Sequence, residues 1–177
     1  MVVHKPFADL GPVLKSTHHI LVTEGRVYQK TQVYLDMALK LSELSTCLRS
    51  GYGAVLIKDD RIISAGFNGA SRGMPHCSEA GCGREGIPSR TRYELCRSAH
   101  AEFNSLLFCR EDPTNATLYI AGHNVQTKEE KRGASCLPCK MCYRAMRQAK
   151  ILSVVIRDTN CLPLIYSLDE LKFIEEE

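Results

Sequence analysis

The chain reads as a three-layer α/β/α sandwich, a mixed sheet with flanking helices, and three observations lead there. Apolar residues recur at helical spacing between Val27 and Cys47, at Val33, Leu35, Met37, Ala38, Leu41 and Leu44. Two β-rich runs follow, Tyr52–Lys58 and Arg61–Phe67, separated by Asp59-Asp60 as a hairpin would be. Downstream, helical and β-rich stretches alternate: a helix opening at His100, a strand over 116–121, a helix opening at Cys139 and a strand over 151–157.

Taken in order, residues 1–26 show no sustained period and carry Pro6, Gly11 and Pro12, so they read as an N-terminal extension ahead of a domain over 27–177. Asn68-Gly69 ends the hairpin with turn chemistry. The stretch from Gly69 to Arg92 is rich in Gly, Pro and Cys and has no period, as expected of a functional or externally stapled loop. A polar loop is expected over 122–137, with Lys128–Arg132 charged and mobile, and a short terminal helix over 168–177.

Composition narrows the function classes. A length of 177 residues suits one domain with a real core, and 44% hydrophobic with 24% charged residues is the balance of a globular protein. A net charge of +3 and a pI near 8.4 give no support for nucleic-acid binding. No apolar run reaches the roughly 20 residues of a membrane span, and the N-terminus lacks a cleavable apolar region, which reads against secretion. Nine cysteines, an odd number placed beside histidines at metal-like spacings, suggest an intracellular, cytoplasmic metalloprotein rather than a disulfide framework.

The chemistry centres on Ser98-Ala99-His100-Ala101-Glu102 and Pro138-Cys139-Lys140-Met141-Cys142. A His-x-Glu followed by Pro-Cys-x-x-Cys is the signature of zinc-dependent nucleobase deaminases. His100, Cys139 and Cys142 supply one imidazole and two thiolates, a donor set suited to Zn²⁺ with its fourth position left open. Glu102 is then the acid/base beside the metal rather than a ligand. Cys139 and Cys142 share a helical face, and Pro138 suits the edge of a first turn. The helix N-terminus favours both thiolates. Cys136, Cys139 and Cys142 also have the even spacing of an iron–sulfur ligand run, but that reading leaves His100 and Glu102 without a role.

The long loop carries a second group. Cys77, Cys82 and Cys96, with Cys47 at the end of the first helix, would close a structural zinc site, as would three of them with His76. The competing reading is of four small buried apolar side chains. Cys109 and Cys161 lack such company and read as plain thiols.

Tyr52–Leu56, Ile62–Gly69, Gly73–Cys77, Cys96–Glu102 and Pro138–Cys142 together resemble the deoxycytidylate deaminase family, over roughly residues 33–157. The resemblance implies a cytidine-deaminase-like fold, zinc-dependent hydrolysis of dCMP to dUMP and ammonia, a nucleotide substrate, and commonly a homo-oligomer, a hexamer. It implies substrate contacts at Asn68, toward the sugar, and at Ala101, and a second structural zinc in several members. The phosphate would need cations at the mouth, for which Arg49, Arg72, Arg97 and Arg132 stand equal by sequence. Two segments depart from the family pattern: the long approach 124–137 ahead of Pro138, and Asp158–Pro163, where an aromatic residue is usual. A deaminase acting on another base, nucleoside or modified pyrimidine nucleotide is therefore an alternative. So is a non-catalytic zinc-binding module, against which the unligated Glu102 argues.

Overall fold

The computed structural model describes residues 2–6, 15–16 and 18–172, with side chains from 19 to 171. The chain starts with strands β1 (Val2–Pro6), β2 (Lys15–Ser16) and β3 (His18–Val22), followed by helix α1 (Gly25–Ser42). Its buried stripe is Thr31, Leu35, Ala38 and Ser42, stepping by three or four residues along one face. Val33, Met37 and Leu44, which the apolar periodicity had counted toward the core, are exposed. Helix α1 also stops short of Cys47.

The expected hairpin is present as β4 (Ser50–Lys58) and β5 (Arg61–Phe67). Asp59 and Asp60 both have positive φ, 49° and 60°, the left-handed pair that a tight two-residue hairpin turn needs. Beyond it lie β6 (Gly69–Ala70), the single-turn α2 (Cys77–Ala80) and β7 (Ser98–Ala99), which pairs with β6. Then come α3 (Ala101–Leu107), β8 (Thr117–Asn124), β9 (Glu130–Lys131), α4 (Lys140–Gln148), β10 (Ser153–Arg157), β11 (Pro163–Ser167) and β12 (Leu171–Lys172).

The main sheet runs β1-β3-β11-β10-β8-β4-β5, with β9 paired to β8. Only β8 and β10 are parallel in it, because α4 carries the chain back between them; the other pairs are antiparallel. Alternation of side chains makes the three layers. Ala54, Leu56, Leu118, Ile120, Val154 and Ile156 face a core shared with α3 and α4. Their neighbours Val55, Ile57, Tyr119, Ala121 and Val155 face Leu35 and Ala38 of α1. Two glycines let the helices sit directly on the strands. A Cβ at Gly53 would lie 1.9 Å from the Ala38 carbonyl oxygen, and one at Gly66 would lie 2.5 Å from the Ser105 nitrogen.

Three expectations are corrected. Part of the supposed extension is built into the sheet, since β3 pairs with β11 and β1 with β3. The β3–β11 pairing joins opposite ends of the chain, and no local periodicity reports it. In place of a terminal helix, Leu168 and Leu171 are core residues and Leu171–Lys172 pairs with β2; residues 173–177 lie outside the described residues. The charged segment before Pro138 is structured: β9 is followed by a 3₁₀ turn at Gly133–Cys136, and Cys136 and Leu137 are buried. Its anchor is Arg157 at the end of β10. That guanidinium, with a side chain 7% exposed, donates to Glu130, Asp36 and Gln32.

Candidate active site

His100 and Cys139 occupy the N-cap positions of α3 and α4, with extended backbone angles, and Cys142 lies on the first turn of α4. Both helices pack against the same sheet face, so their two starts converge. The Sγ atoms of Cys139 and Cys142 each lie 3.4 Å from His100 Nδ1, and all three ligand atoms fall within 4.8 Å of one another. A tetrahedral zinc with Zn–S of about 2.3 Å and Zn–N of about 2.0 Å separates S and N by about 3.6 Å, so these residues fit one zinc ion. His100 is braced from the side by Tyr93, whose ring centroid is 4.7 Å away at 83°.

The two sulfurs share one proton. Cys139 is held well below the usual thiol range, first by the hydrogen bond from Cys142 and then, against the cost of burial, by His100. Cys142 is pushed up, first by that shared proton and then by burial. Glu102, buried on the first turn of α3, has its carboxyl raised above the usual range by burial, with His100 partly offsetting the rise. Desolvation lowers His100, but its hydrogen bond to Cys139 and the Glu102 charge outweigh that and the net shift is upward.

His100, Glu102 and Cys139 border a cavity of about 450 Å³ that also reaches Tyr52, Asn68 and Tyr93. Ala101, fully buried, borders it between His100 and Glu102. Asn68 is committed to the scaffold: Tyr52 N–H donates to its Oδ1 at 2.6 Å and its Nδ2 donates to the Ser50 carbonyl at 2.9 Å, clamping the start of β4.

The four arginines that sequence left equal are separated by the structure. Arg49 and Arg97 line the cavity, whereas Arg72 stacks on Phe108 at 5.2 Å and Arg132 pairs with Glu130. Three further cations line it that sequence reasoning did not select: Arg84, Arg90 and Lys131. Their only local signal was placement in the two loops that depart from regular periodicity.

Cys47, Cys77, Cys82 and Cys96 all border the same cavity, and Cys77 feels the charge of the other three while burial raises its thiol. Their sulfurs are not drawn together: among the described residues, no three metal-binding groups besides the His100 set come within 4.8 Å. Cys77 Sγ instead lies 3.7 Å from Ser98 Oγ, and His76 Nδ1 lies 3.0 Å from Thr46 Oγ1. Cys136 donates its thiol to the Lys131 carbonyl at 3.0 Å, bracing the approach to Cys139 rather than joining a cluster with it. Among the described residues no helix is long and apolar enough to cross a membrane.

Comparison with known proteins places this geometry. Residues 28–157 match the cytidine and deoxycytidylate deaminase zinc-binding region. A deoxycytidylate deaminase of Mycobacterium phage D29 is 35% identical over 132 residues, covering 70% of this chain and 91% of the phage protein. That of Schizosaccharomyces pombe is 32% identical over 126 residues, covering 69% of this chain but only 35% of the yeast protein. The fold is shared with the dCMP deaminase of cyanophage S-TIM5, solved with dCMP and dUMP, at a TM-score of 0.52 and 22% identity over 75% of this chain and 82% of that one. The chain belongs to the family of zinc-binding cytidine and deoxycytidylate deaminases.

Proposed function

We propose that this protein hydrolyses dCMP to dUMP and ammonia with one catalytic zinc held by His100, Cys139 and Cys142. The observation that carries the reading is Glu102, a buried carboxylate that ligates nothing, beside a three-ligand metal site on a cavity of nucleotide size. Bound zinc supplies a water acidic enough to ionise near neutral pH and a Lewis acid for the oxygen that develops at C4. Glu102 does the proton work. It accepts a proton from the attacking water, delivers it to ring N3, and passes the second to the exocyclic amine as the C4–N bond breaks. Ala101 presents its backbone beside the base, and Asn68 keeps the sugar end of the cavity in shape by clamping Ser50 and Tyr52.

The finer features are proposed with it. The catalytic residues all fall within residues 27–177, against a sheet that β1 and β3 extend. Cys47, Cys77, Cys82 and Cys96 take a second, structural zinc, which the placement of all four along one cavity supports and which would draw their sulfurs together. Nine free thiols suit a reducing compartment, the cytoplasm, and the assembly is a homo-oligomer.

Ammonia release, followed in the ultraviolet across cytosine and adenine bases, nucleosides and nucleotides, tests the reading together with Glu102→Gln. The expected result is turnover of dCMP, with the variant retaining its catalytic zinc and losing activity. Full turnover in Glu102→Gln, or no dCMP turnover by the zinc-loaded parent, overturns it.

A further inference from the structure

Among the described residues five cations line the cavity, Arg49, Arg84, Arg90, Arg97 and Lys131, against one carboxylate, the buried Glu102. Among the described residues none of the five has an acidic partner within 4 Å; outside the cavity Arg61, Arg92, Arg132, Arg147 and Arg157 have one, and Arg72, Arg110 and Arg144 do not. Unpaired guanidinium groups gathered in one concavity focus a positive field and favour an anion.

Arg84 differs from the other four. It is only 7% exposed, although arginine is almost never buried unless paired. Its orientation is set from two sides: the guanidinium carbon lies 4.5 Å over the Tyr93 ring, and Nη2 donates to the Pro88 carbonyl at 2.9 Å. Nε is buried without an acceptor, and no hydrogen bond from Nη1 is present among the described residues. A buried donor with no acceptor carries an unrecovered desolvation cost, so this fork is preorganised and unsatisfied. The Arg49 guanidinium reaches in alongside, its Nη1 donating to the Arg84 carbonyl at 3.1 Å. Because Tyr93 touches both Arg84 and His100, the fork is held within one nucleotide's length of the metal ligands.

We propose that Arg84, with Tyr93 as its platform, is the residue that reads the 5′-phosphate and makes this site prefer a nucleotide over a nucleoside. The inference rests on the cytosine-nucleotide reading above. A phosphate monoester carries close to two negative charges and three acceptor oxygens, which a planar guanidinium meets with two parallel hydrogen bonds and a lysine cannot. Arg90 bridges the mouth by donating to the Ala134 carbonyl, so its contribution is to hold the two loops together over the anion.

The test has two arms on zinc-loaded protein. Kinetics compare Arg84→Met and Arg84→Lys with the parent on dCMP and deoxycytidine. The ratio of kcat/KM for dCMP over deoxycytidine falls by about tenfold or more in Arg84→Met, mostly through KM, and Arg84→Lys recovers part of it. Equal losses on both substrates, or an unchanged ratio, overturn the assignment. The second arm titrates inorganic phosphate calorimetrically and needs no turnover: binding to the parent, weakened about tenfold in Arg84→Lys, is expected whatever base the enzyme deaminates. An enzyme that ignores dCMP while Arg84 still governs phosphate binding sinks the substrate reading alone. Absent phosphate binding, or binding insensitive to Arg84→Lys, sinks this proposal. Arg84→Lys keeps the charge, so both arms remain decisive if the methionine variant fails to fold.

Discussion

Replacing Arg157 with methionine should cost about 3 kcal/mol of stability. The guanidinium donates to Glu130 at 2.7 Å, to Asp36 at 2.5 Å and twice to Gln32, at 3.1 and 3.0 Å. Removing one member of a buried pair typically costs about 3–5 kcal/mol, because the survivor stays buried and uncompensated. Two features hold the value to the lower end. Asp36 is 68% exposed and returns to water at little cost, and Glu130, 17% exposed, keeps the Arg132 guanidinium at 3.1 Å. For a chain of this size each kcal/mol shifts Tm by roughly 2–4 °C, so a fall of about 6–12 °C is expected by calorimetry. The loss should be local as well as global, since Glu130 anchors β9 and the neighbouring Lys131 lines the cavity and receives the Cys136 thiol. Amide exchange should therefore quicken first over residues 129–137. A double-mutant cycle with Glu130→Gln should return a coupling of about 1–3 kcal/mol. A Tm within 2 °C of the parent, or zero coupling, would refute the view that this buried pair anchors the loop.

Three shorter tests follow. Cys142→Ser should drop zinc content by about one equivalent per chain and abolish turnover, read by metal analysis; retained zinc refutes the ligand set. Cys77→Ser or Cys82→Ser should lower Tm and remove up to one further equivalent of zinc while the His100 site stays loaded, and unchanged metal with unchanged melting reduces these cysteines to packing residues. Gly66→Val should destabilise by about 3 kcal/mol or more, because its Cβ meets backbone of α3 that cannot step aside; a urea midpoint like the parent's would show that α3 rides more loosely on β5 than the structure implies.

What could be read from the sequence alone was whatever is written in adjacent residues. His100 with Glu102, and Cys139 with Cys142, stand at helix starts where spacing of two or three residues sets relative orientation, so the meeting of His100, Cys139 and Cys142 beside a buried Glu102 was legible from the sequence. The β4–β5 hairpin was equally local, carried by β-rich runs on either side of Asp59-Asp60.

What tertiary structure alone decided depends on residues far apart in the chain. Nothing in His18–Val22 reports that it will pair with Pro163–Ser167, because the partner lies at the other end of the sequence. The apolar count along α1 took Val33 and Met37 for core, while the packing chose Thr31 and Ser42, whose hydroxyls bond the helix's own carbonyls at Val27 and Leu39 and so bury without penalty. Arginines look alike as letters. Arg72 spends its charge on Phe108 and Arg132 on Glu130, while Arg84 is turned inward, because each is fixed by the ring, carbonyl or carboxylate that folding brings to it. The candidate metal ligands are written at short spacing, whereas the cations of two irregular loops meet across one cavity only in the folded chain.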